Sequence, residues 1–246
     1  MTVTFSSYTE AGGRPQNEDS VMTRDDGNTL LAMVADGLGG HAAGEVASRL
    51  AVSTIAACLQ GQAVTSSGVD AAVMAAHQAI LDKQRQDHVD MKTTIAALWI
   101  EDGVARGVHV GDSRIYQFRD GKVIYQSLDH SQCQLEVLMG HMTQEQIRSS
   151  TIQNILLRAL GGAGHVKPDI AILDIQPGDL LLLCTDGFWE LILEQEMIRC
   201  ACGASSAKEW LERMRTIVTE RQSPESDNHT AATIMIGQEN GGNGHA

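Results

Sequence analysis

Five short acidic segments stand out for the chemistry their residue types could do. They are Arg14-Pro15-Gln16-Asn17-Glu18-Asp19, Val34-Ala35-Asp36-Gly37-Leu38-Gly39-Gly40, Gly111-Asp112-Ser113-Arg114, Cys184-Thr185-Asp186-Gly187 and Ser226-Asp227-Asn228. Each reads as the end of a strand or a loop beside one. Carboxylates this far apart in sequence act together only if the fold gathers them. Gathered, they form a cage of oxygen ligands for hard divalent cations, and Arg14 adds a planar fork of donors for an anion. That combination is the equipment for metal-assisted hydrolysis of a phosphate ester.

Asp-Gly is also a common turn dipeptide. Asp102-Gly103 and Asp120-Gly121 each lie between two strand-like segments and are assigned to plain hairpin turns, which need positive φ. Asp36 and Asp186 differ. Each follows an apolar run that reads as a buried strand, 30–34 or 180–184, and precedes a glycine loop or a helix. An aspartate at the end of a central strand costs stability by desolvation unless it is paired or binds a cation.

The elements that must position these residues follow from periodicity. Residues 3–7, 20–24 and 30–35 are short strand-like runs. Residues 45–59, with Val46, Leu50 and Ala57 on one face, read as a helix, and so do residues 69–86; a Gly- and Ser-rich loop at 60–68 separates them. Segments 94–100 and 104–110, then 114–119 and 122–127, form two hairpins. Residues 131–160 read as helical or irregular. Strands follow at 167–175 and 180–184, helices at 188–202 and 206–221, and a last strand at 233–236. This order lacks the strict alternation of a parallel α/β fold and suits antiparallel sheets covered by helix pairs.

A chain of 246 residues, 43% hydrophobic and 20% charged, has the composition of a folded protein with a sizeable core. One domain is expected over 1–237, with a tail of disordered composition at 238–246. The formal net charge of −13 argues against nonspecific binding to nucleic acid or to anionic lipid. It also repels an anionic substrate, so cations and a local arginine must reverse the sign at the site. The cysteines, Cys58, Cys133, Cys184, Cys200 and Cys202, are odd in number and show no Cys-x-x-Cys spacing, which predicts reduced thiols in a cytoplasmic protein. The polar N-terminus shows no signal peptide, and the longest apolar run, 180–184, is too short to span a bilayer. Without heptads or a long apolar stripe, a monomer is expected.

Eight motifs, in order along the chain, carry a resemblance. They are Arg-x-x-Asn-Glu-Asp at 14–19, Asp-Gly-Leu-Gly-Gly-His at 36–41, Thr93-Thr94, Gly-Asp-Ser-Arg at 111–114, Asp129-His130-Ser131, Arg-Ala-Leu-Gly at 158–161, Thr-Asp-Gly at 185–187 and Asp227-Asn228. Over 14–236 the chain resembles the PPM family, the metal-dependent serine/threonine protein phosphatases of type 2C, in its bacterial form. The resemblance implies an α+β fold, a β-sandwich of two antiparallel sheets flanked by helix pairs. It implies two tightly held Mg2+ or Mn2+ ions and a weaker third. Asp36 would bridge the pair, and Asp186 and Asp227 would complete the first ion's protein ligands. The carbonyl of Gly37 would ligate the second, Glu18 would reach that ion through water, and Asp19 would hold a coordinated water. Asp112 would form the third site with Asp186.

The reaction so implied is hydrolysis of phosphoserine and phosphothreonine in proteins, opposing a Ser/Thr kinase. Two such cations lower the pKa of a shared water, and Arg14 would clamp the phosphoryl oxygens during in-line attack. Two other readings share the fold. One is a phosphatase dedicated to a single regulatory phosphoprotein. The other is a catalytically inactive phosphoprotein-binding module, which the full set of expected ligands disfavours.

The sequence also departs from the family pattern. Leu38 stands where many eukaryotic members carry a histidine proposed as general acid, and leucine cannot donate a proton. His41, three residues on, reads either as a proton donor or as a loop residue capping the next helix. Lys92 replaces the usual glycine before Thr93-Thr94, and lysine resists a positive φ, so an altered turn is expected. Residues 132–150 correspond to the mobile flap of bacterial members. Within them, Met139-Gly140-His141-Met142 reads either as an adaptable substrate-selecting surface or as core filler.

Overall fold

Alternation along the central strands builds the architecture. In β3 (Thr29–Ala35), Leu30, Ala32 and Val34 face one way and Leu31, Met33 and Ala35 the other, and all six are buried. In β11 (Leu180–Cys184), Leu181 and Leu183 face one way and Leu182 and Cys184 the other, again all buried. A strand apolar on both faces must be covered on both. One face of each meets the other sheet; the outer face meets helices.

The computed structural model describes residues 2–39, 43–61 and 64–237. It contains two five-stranded sheets in which all neighbouring strands are antiparallel. In the first, β1 (Thr2–Glu10), β12 (His229–Gly237), β11, β8 (Arg114–Arg119) and β9 (Lys122–Gln126) lie side by side in that order. In the second the order is β10 (Asp169–Asp174), β7 (Val104–Val110), β6 (Ile95–Glu101), β3 and β2 (Ser20–Asp25). A short ribbon pairs β4 (Gly37–Gly39) with β5 (Met91–Thr93). Leu98, Ile115, Leu183 and Ile234 fill the space between the sheets. Helices α1 (Ala43–Leu59) and α2 (Ser66–Asp87) share a core with the outer face of the second sheet. The other outer face shares one with α4 (Asp186–Trp189), α5 (Glu194–Ala201) and α6 (Ala207–Arg221), through Phe118, Trp189 and Trp210. This is the expected sandwich with helices on both faces. Residues 132–157 form a separate excursion, with α3 (Gln132–Leu138) and a 3-10 turn at Glu145–Ser149.

Several expectations change in detail. The buried stripe of α1 runs through Ala47, Ala51, Ile55 and Leu59, whereas Val46 and Leu50 are half-buried and Ala57 is exposed. Alanines at 47, 51 and 56 share this buried face with Val52, Ile55 and Leu59. The single helix expected at 188–202 is broken between Trp189 and Glu194, where Glu196 accepts the Leu193 N–H and caps the new start. Lys92 lies within β5, directly across from Leu38, so no positive φ is asked of it. Both hairpin turns stand as expected, with Asp102 and Asp120 at φ 50° and 51° and a left-handed glycine after each. In the excursion the methionines divide, Met142 packing against the helix-covered core and Met139 standing exposed. His41 and the 238–246 tail lie outside the described residues. No helix among the described residues is long and apolar enough to cross a membrane.

Candidate active site

The acidic segments converge because all of them sit at one end of the sandwich. Asp36 follows β3, and Glu18 and Asp19 precede the neighbouring β2, whose first residue pairs with Ala35. Asp112 lies on the crossover from β7 in one sheet to β8 in the other. Asp186 follows β11, and Asp227 precedes β12, the strand beside it. Arg14, Glu18, Asp36, Asp112, Asp186 and Asp227 line one cavity of about 350 Å3, together with Gly37 and Leu38. Asp36, Asp112 and Asp186 have carboxylate oxygens within 4.8 Å of one another.

Local bonding fixes each acid. The main chain of Asp36 is held on both sides: its N–H donates to Thr94 Oγ1 (2.9 Å), and its carbonyl accepts from Thr93 Oγ1 (2.7 Å) and the Thr94 N–H (2.9 Å). That is the work of the buried Thr93-Thr94 pair. Gly37 must lack a side chain, since a Cβ there would lie 2.2 Å from the Gly44 carbonyl oxygen and 2.4 Å from that of Glu18. Asn228 staples the Arg14 loop, accepting the Glu18 N–H (2.8 Å) and donating to the carbonyls of Ala11 and Gln16 (2.9 Å each). Trp189 Nε1 donates to the Asp112 carbonyl (3.0 Å), and Thr185 Oγ1 donates to Asp19 Oδ2 (2.8 Å). Arg14 spends one nitrogen on Asp227 (3.0 Å) in a pair about half exposed on each side.

The electrostatics are those of crowded, buried carboxylates. Burial first, and Asp186 next, push Asp36 and Asp112 well above the usual carboxylate range. Burial raises Asp19 to about 7 and, with Asp227 nearby, Asp186 to about 6. Glu18 is also raised, chiefly by burial. Asp19 Oδ1 and Asp112 Oδ1 are buried and have no hydrogen-bond partner. Orphaned buried carboxylate oxygens are costly, and hard oxygen acceptors of this kind suit Mg2+ or Mn2+. The donor set therefore fits divalent cations.

One acid escaped the sequence reading. Burial, then the charge of Asp186, raise Glu190 to about 8. It lies within the run read as one helix at 188–202. The available signal was its i+4 spacing from Asp186, which places both on one helical face.

A second trio also brings possible ligand atoms within 4.8 Å: His109, His130 and Asp169. Here each residue has a protein partner. His109 Nε2 contacts the Leu128 carbonyl (2.8 Å), His130 Nδ1 accepts the Gly111 N–H (3.2 Å), and Asp169 lies 3.3 Å from His130 Nε2. Arg158 donates to Asp169 (3.2 Å). The two imidazoles stack with centroids 4.6 Å apart.

Comparison with known proteins agrees with the site. The family model described as Protein phosphatase 2C matches residues 10–229. Over 189 residues, 75% of the chain, it is 35% identical to the serine/threonine protein phosphatase PstP of Mycobacterium tuberculosis. It spans only 36% of that relative's length. It is 32% identical to the serine/threonine phosphatase stp of Listeria monocytogenes, over 75% of this chain and 77% of that one. The crystal structure of a PstP catalytic domain in complex with two manganese ions superposes with a TM-score of 0.84 at 28% identity, covering 96% of this chain and 99% of that one. A match over nearly the whole sandwich, including every acidic segment up to Asp227, leaves one assignment: this chain belongs to the protein phosphatase 2C family.

Proposed function

We propose that the chain is a metal-dependent protein phosphatase that hydrolyses phosphoserine and phosphothreonine. The observation that carries this reading is the cavity that Arg14 lines with Glu18, Asp36, Asp112, Asp186 and Asp227, where Asp112 Oδ1 is buried without a partner. The names of the bacterial relatives support the substrate class, and a Ser/Thr kinase is the natural opponent.

Asp36, Asp186 and Asp227, the Gly37 carbonyl, and Glu18 and Asp19 through water are the groups that would hold the cations. When bound, such cations supply Lewis-acid chemistry, lowering the pKa of water and neutralising phosphoryl charge. The chain's own residues do the rest. Thr93 and Thr94 hold the Asp36 main chain so that its carboxylate enters the cavity with little conformational freedom. Arg14 binds the phosphoryl oxygens through the part of its guanidinium that Asp227 leaves free, which orients phosphorus and offsets its charge. Leu38 lines the cavity where a proton donor would be useful and supplies none. Protonation of the leaving alkoxide falls to a water oriented by Asp112 Oδ1, a buried acceptor with no protein partner.

The test is hydrolysis of a phosphothreonine peptide by purified protein with Mn2+, with and without EDTA. Mn2+-dependent release of phosphate that EDTA abolishes is expected, and an inert protein that still binds Mn2+ would refute the reading. Arg14→Ala should keep Mn2+ affinity while kcat/KM falls at least ~10-fold, the ~1.4 kcal/mol expected of one charge-assisted contact strengthened in the transition state.

A further inference from the structure

One stripe of α2 acts on the active-site cavity without lining it. His77, Ile80 and Gln84 lie at i, i+3 and i+7 of the helix and so share a face. Gln84 Nε2 donates to two carbonyls from distant parts of the chain, Met91 at 2.5 Å and Gly161 at 2.8 Å. His77 Nδ1 accepts the Gly161 N–H at 3.1 Å. Gly161 has φ +79°, and a Cβ on it would lie 2.5 Å from Ile80 Cγ2 and 2.6 Å from the Met91 carbonyl oxygen. The segment at 160–161 is therefore pressed onto both the helix and the start of β5.

Each held segment leads to a wall of the cavity. Met91 opens β5, which pairs with β4, and Gly37 and Leu38 of β4 line the cavity. Thr93, at the other end of β5, donates its hydroxyl to the Asp36 carbonyl. Leu160 is joined to Thr93 by two main-chain hydrogen bonds of 2.8 and 3.0 Å. Four residues before it, Leu156 lines the cavity with Asn154.

We propose that Gln84, backed by His77, is a positioning residue that sets the spacing between two walls of the cavity. One wall is β4 with Asp36 and Gly37, and the other is Asn154 with Leu156. A primary amide suits the task because its two N–H groups serve two carbonyls at once. The inference rests on the reading of this cavity as the site of cations and phosphoprotein.

The test uses the full chain and three variants. Gln84→Leu removes both donors at similar volume. Gln84→Glu keeps the shape but sets a carboxylate against two carbonyl oxygens. Gln84→Lys returns donors that reach both. Mn2+ affinity is measured by calorimetry beside a thermal melt in EDTA. Gln84→Leu and Gln84→Glu should weaken Mn2+ binding about tenfold, the scale on which groups behind metal ligands act, and Gln84→Lys should recover most of it. KM for a phosphothreonine peptide should rise more than kcat falls on p-nitrophenyl phosphate, a substrate too small to touch both walls. Lower melting temperatures with Mn2+ affinity within about twofold of wild type would overturn the proposal, since that is the signature of a purely structural glutamine. If one disrupting variant does not fold, the other carries the comparison. A wild type that binds Mn2+ but cleaves no phosphopeptide would sink the functional reading and leave the Mn2+ titrations to decide the clamp.

Discussion

Two trios among the described residues bring possible metal ligands within the same 4.8 Å, and they differ in what is left over. In the first, Asp36, Asp112 and Asp186 bring three carboxylates together, and Asp112 keeps a buried oxygen without a protein partner. In the second, His109 and His130 are held by main-chain groups, and Asp169 already has Arg158. His130 Nδ1 accepts the Gly111 N–H, and its Nε2 is flanked by Asp169 at 3.3 Å and Arg158 Nη1 at 3.2 Å. A metal at Nε2 would have to compete with that guanidinium. Proximity alone therefore does not define a cation site; unsatisfied acceptors and uncompensated charge do. The first trio is held ready for a cation, and the second is a closed structural knot joining β7, β10 and the Asp129-His130-Ser131 loop.

The contrast breaks most sharply at Asp36. Asp36→Asn keeps the shape but removes charge from the centre of the first trio. Calorimetry should show Mn2+ affinity falling by more than ~100-fold, beyond what groups behind the ligands cost, with turnover lost alongside. Tight binding of two ions in the variant would defeat the assignment. Next comes Asp112→Ala. Its effect should be about tenfold larger on a phosphothreonine peptide than on p-nitrophenyl phosphate, whose leaving group needs little protonation. Equal losses on the two substrates would remove Asp112 from leaving-group protonation.

The second trio is probed by acid. Burial, then the neighbouring His109, lower His130 from the ordinary 6.5 to about 4, and His109 is lowered by burial as well. Below pH 6.5 the unfolded chain takes up a proton that the folded chain refuses. Stability from this group is thus fully present above 6.5 and is lost as pH falls toward 4. In urea melts with EDTA, wild type should lose about 2 kcal/mol more than His130→Asn between pH 7 and pH 5, because the carboxylate contributions common to both cancel. Parallel pH profiles would show that His130 is not held neutral. The smallest effect sharpens the comparison by its absence: Asp169→Asn should leave Mn2+ affinity within about twofold, far from the loss at the first trio. A large loss there would move Asp169 into the metal site.

Much of this was legible in the sequence because the site sits at strand ends. Apolar runs such as 180–184 fix the strand, and the acid that follows is then placed at its end whatever the neighbouring strands do. The bounds of β7, β8 and β11 and both Asp-Gly turns came directly from such local signals. What was not legible depends on contacts between layers. The buried face of α1 includes alanines at 47, 51 and 56 and leaves Val46 and Leu50 half-buried. The break after Trp189 arises because that helix turns to cover Asp112 and Tyr116, which no local pattern records. Glu190 was missed for the same reason. The pairing of Arg14 with Asp227, 213 positions apart, has no sequence signature at all.

The crossover at Asp112 gives the cavity one more property. Asp36 belongs to one sheet, Asp186 and Asp227 to the other, and Asp112 to the strap between them. Cations held across that seam would therefore also hold the two sheets in register, as a rivet holds two plates. Thermodynamic reciprocity then ties the rivet to the filling: whatever loosens Leu98 against Leu183 in the interior loosens the grip on metal, by the same free energy with which metal stiffens the interior. Chelation of cations held there should be felt as faster amide exchange in the interior strands β6 and β11.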